Sequence, residues 1–165
     1  MKAIESPDLT IRRAKMDDLA AIVDLGVELA RQHFSYDQQR FTGEPFEPLE
    51  QTHQDFFREQ LDNPNSVFLI AEENGRIIGY AFLRIERKSL GDLLDDGVWL
   101  HDIYFEENAR GRGVGKFFFD TVIDEAKKLG SKSLMLTVSP HNATAQEFFA
   151  KRGFRQTMIE MRLDF

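Results

Sequence analysis

The stretch from Arg110 to Lys116, which reads Arg-Gly-Arg-Gly-Val-Gly-Lys, decides how the rest of the chain is interpreted. Three glycines in five residues allow the backbone to approach a ligand closely. An apolar stripe at helical spacing follows, so the loop leads into the first turn of a helix, where unpaired N–H groups favour anions. Three basic side chains add positive charge, and no acid lies between Asn108 and Phe119. The pattern therefore predicts a phosphate or pyrophosphate site.

Two common nucleotide motifs do not fit this loop. A P-loop that ends at Gly115-Lys116 would need glycine in place of Arg110, and serine or threonine in place of Phe117. A Rossmann fingerprint would need a third glycine where Lys116 stands. The alternative to a ligand site is a glycine-rich turn whose basic residues are simply solvated.

Length and composition restrict the classes of protein to which the chain can belong. The 165 residues, 42% of them apolar, suit one domain over residues 1–165 with one sizeable core. A net charge of −7 disfavours nucleic acid as a partner. The chain has no cysteine, and its four histidines lack metal-ligand spacing, so no metal is expected. Without a long apolar run or a secretory signal, we expect a cytoplasmic protein that does not bind membranes.

The order of predicted elements is β α α β β β α β α β. The strands are predicted at residues 10–13, 66–72, 77–87, 98–105, 134–138 and 158–165. Helices are predicted to begin near Asp17, near Pro48, directly after the glycine-rich loop, and at Asn142. Asn74-Gly75 indicates a tight hairpin turn. This mixed order predicts an α/β (α+β) fold in which helices pack on a mixed sheet.

A second pattern follows the loop at a suitable distance. It consists of Asn142, Ala145, Phe149 and the pair Gly153-Phe154. The loop matches Gln/Arg-x-x-Gly-x-Gly/Ala, and the later residues match Asn-x-x-Ala-x-x-x-Tyr/Phe-x-x-x-Gly-Phe. Taken together, the two motifs resemble those of the GNAT superfamily of N-acetyltransferases. The match is good over residues 66–165, and the element order extends it to the whole chain.

The resemblance implies a fold and a co-substrate. The implied fold is a mixed, mostly antiparallel sheet of six to seven strands, flanked by about four helices, in which two central strands splay apart. The implied co-substrate is acetyl-CoA, with its pantetheine arm in the gap between those strands. By position, the residues that would hold it are Ile103, Tyr104, Phe105, Arg110, Gly111, Arg112, Gly113, Val114, Gly115, Lys116, Asn142 and Phe149.

The family chemistry is direct transfer of an acetyl group to an amine. Many members use a tyrosine of the second motif as the acid, but Phe149 occupies that position here and has no proton to give. Tyr104, Tyr80 or a water are the alternatives. This departure also favours a second hypothesis, a catalytically weak acyl-CoA-binding module with a regulatory or partner-binding role.

The strand around residues 99–103 is where the resemblance places the base. His101 lies at a position similar to a histidine of the arylalkylamine N-acetyltransferases, and its ordinary pKa near 6.5 suits proton removal. Asp102 is a second candidate, as base or substrate anchor. Strict alternation would place Trp99, His101, Ile103 and Phe105 on one face. Leu100, Asp102 and Tyr104 would then share the other.

Two acidic segments lie where the family binds its acceptor. They contain Glu44, Glu47, Glu50, Asp55, Glu59 and Asp62, followed by Asp92, Asp95 and Asp96. Such a rim would attract a cationic amine, either a small molecule or a peptide, although acidic helix faces also serve solubility alone. A homodimer is a further expectation that comes from the family.

Overall fold

A computed structural model describes residues 9–40, 49–87 and 96–165. Its strands are β1 (Leu9–Arg13), β2 (Ser66–Glu73), β3 (Arg76–Glu86), β4 (Gly97–Phe105) and β5 (Leu134–Leu136). Its helices are α1 (Leu19–Tyr36), α2 (Leu49–Asp62), α3 (Val114–Lys128) and α4 (Ala143–Ala150). None of the helices in these ranges is both long enough and apolar enough to cross a membrane.

The strands form one sheet in the order β1-β2-β3-β4-β5. The first four pair antiparallel, and β4 pairs with β5 in parallel. The predicted mixed, mostly antiparallel sheet with about four helices is therefore confirmed. The hairpin turn is also confirmed, because Asn74 and Gly75 both have positive φ angles, of 52° and 74°.

Apolar side chains cover both faces of the sheet. On one face, α3 and α4 pack against the strands through residues such as Val114, Phe118 and Phe119. On the other face, α1 and α2 pack through Ile22, Phe57 and their neighbours onto Phe68, Tyr80 and Phe82. Successive side chains of β2 and β3 point to opposite faces of the sheet, so both strands contribute apolar side chains to both cores.

The predicted last strand is wrong. Residues 154–165 have no regular secondary structure, so the described sheet has five strands rather than six to seven. The alternating pattern at 158–165 is present, but a strand forms only where a neighbour supplies hydrogen bonds. Residues 160 and 162 instead make polar contacts with Gln39 and Arg40, just beyond the end of α1. β5 is also shorter than predicted and ends at Leu136.

Strand β4 contains one extra residue, and this breaks the predicted alternation. Phe82 of β3 pairs with Asp102, whereas the next residue, Leu83, pairs with Leu100. His101 is therefore a bulge, with no partner of its own on β3.

Because of the bulge, the faces predicted for the side chains of β4 are wrong for Leu100 and His101. Leu100 packs with Ile103 and Phe105 on the α3/α4 face. His101 instead stacks on Phe82 of the α1/α2 face, with ring centroids 5.2 Å apart. Asp102 and Tyr104 lie on that same α1/α2 face. The extra residue thus brings His101 and Asp102 to one side of the sheet.

The pairing of β4 with β5 is brief. It covers only Val98↔Leu134, Trp99↔Met135 and Leu100↔Leu136. From His101 to Phe105, β4 has no partner strand on that side among the described residues. The predicted splay of two central strands is therefore present, and it begins at the bulge.

Gly79 fixes the far end of β4. It pairs with Phe105, and a Cβ at this position would lie 2.4 Å from Cδ1 of that ring. The same ring meets Phe118 of α3 edge-on, at 5.0 Å between centroids. Because Gly79 has no side chain, the ring of Phe105 can lie over β3 and also pack against Phe118 of α3.

We expect Gly79→Ala to lower the free energy of unfolding by about 1–3 kcal/mol, because the methyl group collides with a ring that is itself held by Phe118. Urea unfolding at one pH measures this. Gly115→Ala is the matched control, since a Cβ there meets nothing within 4 Å. Equal stability of the Gly79→Ala variant and the parent would contradict the role of Gly79.

Candidate active site

The glycine-rich loop has the geometry of an anion cradle. Gly111 and Gly113 adopt positive φ angles of 74° and 84°, and Gly113 caps the N-terminus of α3. The amides of Val114 and Gly115 lie in the first helical turn, where the helix offers no acceptor for them. A Cβ at Gly111 or Gly115 would meet nothing within 4 Å, so the surface above the loop is open.

The positive charge of this loop is partly balanced by groups that are distant in sequence. Arg112 forms two hydrogen bonds with the carboxylate of Glu73 on β2, at 2.6 and 3.0 Å. Arg110 lies over the ring of Tyr104, with its guanidinium carbon 5.1 Å from the ring centre. Lys116 is exposed. The sequence pattern around the loop does not reveal this ion pair, because Glu73 is distant in sequence and only the fold brings it to Arg112.

The open edge of β4 begins beside this loop. Ile103 and Phe105 turn their side chains into the α3/α4 core, and Tyr104 faces the other layer. The carbonyl oxygen of Phe105 accepts a hydrogen bond of 2.9 Å from Nε of Arg110. The carbonyl group of Phe105, one of the residues predicted to hold the co-substrate, is therefore already hydrogen-bonded within the chain. This hydrogen bond joins the end of β4 to the loop.

Helix α4 brings the second motif to the other side of the gap. Asn142 caps the helix, since its Oδ1 accepts from the amide of Ala145 at 3.0 Å, and this leaves its Nδ2 outside the cap. Phe149 is buried among Phe119 and Phe154, with ring centroids 5.6 and 5.5 Å away. Phe149 thus lies in the aromatic core behind the loop.

Asp102 lies on the face of the sheet that α1 and α2 cover. The buried hydroxyl of Tyr80 donates to its Oδ2 at 3.0 Å. Burial raises the pKa of Asp102, although the Tyr80 hydrogen bond and nearby histidines oppose that change. Its side chain keeps partial solvent access. A carboxylate with a raised pKa that can still be reached is suited to accept a proton.

Histidines from three elements surround Asp102. His33 of α1, His53 of α2 and His101 of β4 all act electrostatically on its carboxylate. Burial lowers the pKa of His33, and the charge of Asp102 partly opposes this. His33 was not identified from the sequence as a candidate site residue. Its spacing was a possible signal, because it follows the buried Leu29 by four residues on the same side of α1.

His101 is held by polar and aromatic contacts on the same face of the sheet. Its Nε2 lies 2.9 Å from Oε1 of Glu86, and the same carboxylate pairs with Arg84 at 2.5 Å. Tyr104, the third predicted candidate, lies on the same layer nearer the loop, and burial raises the pKa of its hydroxyl. The structure therefore places His101, Asp102 and Tyr104 along one face of the open strand.

The predicted acidic rim is only partly within the described residues. Glu50, Asp55, Glu59 and Asp62 lie on the exposed side of α2, whereas His53 and Phe57 of that helix face inward. Asp96 pairs with Arg87 at 3.3 Å. The other four carboxylates (Glu44, Glu47, Asp92 and Asp95) lie outside the described residues.

Within the described ranges, no three His, Cys, Asp or Glu side chains are grouped so as to hold a metal ion.

Comparison with known proteins agrees with this arrangement. The family model described as the Acetyltransferase (GNAT) family matches residues 31–154. The protein named uncharacterized N-acetyltransferase YhfO, from Bacillus subtilis strain 168, is 30% identical over 148 residues, which are 90% of this chain and 91% of that protein.

Two solved structures share the fold. A predicted acetyltransferase from Clostridium acetobutylicum, solved with acetyl-CoA, superposes with a TM-score of 0.73 at 23% identity, over 94% of this chain and 96% of that one. The aminoglycoside N-acetyltransferase AAC(6')-Iy, in complex with CoA, gives 0.71 at 20% identity, over 95% and 94%. The resemblance drawn from the two motifs is confirmed. The chain belongs to the acetyltransferase (GNAT) family, as an N-acetyltransferase whose co-substrate is acetyl-CoA.

Proposed function

We propose that this N-acetyltransferase transfers the acetyl group directly to the primary amine of a small cationic molecule or a peptide, with Asp102 as the base. The observation that carries the proposal is the position of Asp102. It is a partly buried carboxylate with a raised pKa, one residue from the bulge at which β4 leaves β5. Acceptor and thioester would meet at that point.

The residues around the gap are suited to acetyl-CoA. The open amides from Gly111 to Gly115 would hold the pyrophosphate, and Lys116 would add a cation beside it. The backbone of Ile103 and Tyr104 would pair with the pantetheine arm, because that edge of β4 has no partner strand among the described residues. Asn142 would contribute its Nδ2 from the opposite side.

In the proposed step, the neutral amine nitrogen attacks the thioester carbonyl carbon. The C–N bond forms, the C–S bond breaks, and the proton lost by the amine passes to the carboxylate of Asp102, directly or through water. The products are an amide and the coenzyme A thiol. The base is needed because the nitrogen becomes cationic when the C–N bond forms and must lose a proton to give the amide.

Tyr104 is the proposed proton donor to the leaving thiolate. Burial keeps its pKa above the ordinary value of 10.0, so the hydroxyl is protonated at neutral pH. Tyr80 is less suitable, because it is fully buried and already donates to Asp102. Tyr104 would thus take the role for which Phe149 lacks a hydroxyl.

The carboxylate of Asp102 favours a cationic acceptor. Glu86 lies beside His101 on the same face of the sheet, but it is already paired with Arg84. One solved structure of similar fold is named an aminoglycoside N-acetyltransferase. Aminoglycosides are cationic amines, and we carry only that charge class over as a proposal. The acidic side chains of α2 face outward, so they support solubility more than recognition.

The rival hypothesis, an acyl-CoA-binding module with little catalysis, predicts a different assay result. We expect purified protein, acetyl-CoA and a panel of small amines and basic peptides to release free thiol in proportion to one acceptor class. CoA binding by calorimetry with no acceptor-dependent thiol release from any amine would support the module instead.

Asp102→Asn tests the base. We expect kcat to fall by about 10²–10⁴-fold, and the decline of rate at low pH to disappear, because the base is no longer titrated. Tyr80→Phe is the companion variant. It removes a hydrogen bond that lowers the pKa of Asp102, so the acid limb of its pH–rate profile should move to higher pH. A normal rate for the Asp102→Asn variant would remove Asp102 from the mechanism.

Gly113→Glu tests the loop. A side chain at positive φ and a negative charge both enter the proposed cradle, so we expect calorimetry to detect no CoA binding. Gly130→Glu is the matched control, since Gly130 also has a positive φ, of 81°, but lies at the other end of α3. Both variants should lose stability, and only Gly113→Glu should lose CoA. Retained affinity in that variant would overturn the loop assignment.

The raised pKa of Asp102 also predicts how stability depends on pH. The folded chain binds the Asp102 proton more tightly than the unfolded chain, whose ordinary value is 3.8. Stability is therefore lost as pH rises from that value through the raised pKa. Compared with Asp102→Asn, the parent should lose unfolding free energy as pH rises above the ordinary value of 3.8 and through the raised pKa, measured in urea.

Asp55→Asn, on the exposed side of α2, is the control for that series and should follow the parent. A difference between parent and Asp102→Asn that stays constant over the whole range would show that Asp102 titrates alike in the folded and unfolded chains.

A further inference from the structure

Arg110 begins the glycine-rich motif, but its side chain contacts other parts of the chain. Its Nε donates to the carbonyl oxygen of Phe105 at 2.9 Å, and its Nη2 donates to Oε1 of Gln32 at 3.3 Å. Its guanidinium carbon lies 5.1 Å from the ring centre of Tyr104. Groups of β4 and α1 therefore hold this cation together.

The turn after β4 brings Arg110 to this position. A short helical turn, Glu107–Ala109, follows the strand, and the amide of Arg110 donates to the carbonyl oxygen of Glu107 at 3.2 Å. Ala109 is buried and packs in the α3/α4 core, which fixes the turn. The chain therefore bends back, and the side chain of Arg110 reaches the ring of Tyr104.

Gln32 extends these contacts into the last turns of α1. Its Nε2 donates to the hydroxyl oxygen of Tyr36 at 2.6 Å, while its Oε1 accepts from Arg110. Both ends of this half-buried amide are thus bonded. The planar fork of an arginine loses little freedom in such an arrangement, so the guanidinium is held in one orientation.

Several charges act on the hydroxyl of Tyr104. Burial raises its pKa, whereas the positive charge of Arg110 lowers it. The acids that raise it further are Glu28 of α1 and, in the turn after β4, Glu106 and Glu107. Tyr80 interacts electrostatically with Tyr104, and Asp102 lies two residues earlier on the same face. Arg110 is thus the cation that opposes burial and the surrounding acids.

We propose that Arg110 is a positioning residue for Tyr104, which holds the ring at the open edge of β4 and stabilises the negative charge that forms on its oxygen during transfer. This inference rests on the proposed function, in which Tyr104 protonates the leaving thiolate. In that step the O–H bond of Tyr104 breaks and an S–H bond forms. A tyrosinate then remains beside the guanidinium until water returns a proton. A cation over an aromatic ring is attracted to it, and a negative charge on the ring strengthens that attraction.

The proposal divides two tasks within one loop. The open amides and the exposed Lys116 bind the pyrophosphate, whereas Arg110 acts on Tyr104. Methionine in place of either cation separates these tasks, because it removes the charge and keeps an unbranched side chain. At saturating acetyl-CoA, we expect Arg110→Met to lower kcat by about three- to tenfold, a part of what a general acid contributes. Its dissociation constant for CoA should change by less than about twofold, whereas Lys116→Met should raise that constant by about three- to tenfold.

Titration of the Tyr104 hydroxyl gives a readout that a merely structural role would not move. The chain has three tyrosines, so protein labelled with fluorotyrosine gives three fluorine NMR signals, and Tyr104→Phe assigns one of them. Fluorine also lowers the pKa of a phenol, which brings the titration to milder pH. We expect the Tyr104 signal to titrate at higher pH in Arg110→Met than in the parent, because the cation that favours the anion is gone. Arg110→Lys keeps the charge and Lys116→Met leaves Arg110 in place, so both should titrate near the parent.

The outcomes separate this inference from the proposed function. An unshifted Tyr104 signal in Arg110→Met, or a CoA affinity that falls as far as in Lys116→Met, would overturn the inference and leave the proposed function standing. A Tyr104→Phe variant with the parent's kcat would instead remove Tyr104 as the proton donor, and the role of Arg110 with it. The shift should persist when CoA is bound. Its disappearance would show that Arg110 turns to the pyrophosphate, which contradicts the inference.

Discussion

The single extra residue in β4 is the constraint on which the rest of this structure depends. β4 is paired on both sides up to Leu100, and beyond His101 it keeps β3 but has no partner on the side of β5 within the described ranges. A bulge bends its strand and increases the local twist, so it also ends regular pairing nearby. The gap, its open backbone edge and the orientation of His101 and Asp102 toward one layer all follow from that insertion. The ring of Phe105, seated over Gly79 and against Phe118, holds the far end of the same strand.

The electrostatics of the two halves of the site are opposed. The loop at the start of α3 combines open amides with cations, yet Glu73 and the Phe105 carbonyl already engage two of its arginines. The α1/α2 face of the sheet carries the carboxylate of Asp102, which accepts from the hydroxyl of Tyr80 and is influenced electrostatically by three histidines. Burial disfavours the ionised form of this carboxylate, and such a cost is typical of functional positions. The net charge of the chain therefore averages over a basic loop and a face of the sheet that carries a carboxylate.

Local patterns predicted most of the fold because most of its elements are determined locally. Helical stripes, the Asn74-Gly75 turn and the Asn142 cap depend on neighbours in sequence, and each appears as expected. The glycine-rich loop was found for the same reason, since its glycines and the helix start are contiguous. The bulge at His101 could not be found this way, because it is defined by pairing with β3, seventeen or more residues earlier. The environment of Asp102 depends on α1, α2 and β3 together. The last strand was predicted from a pattern that is real, but its hydrogen-bonding partner is not supplied by the described chain.

We propose that the open edge of β4 and the loop that follows it form one binding surface for acetyl-CoA. Amide chemical shifts followed by NMR while CoA is added measure where this ligand binds. We expect the largest changes on Ile103 and Tyr104, on Gly111 to Lys116, and on Asn142. Changes confined to a distant surface, such as the exposed side of α2, would show that CoA binds elsewhere.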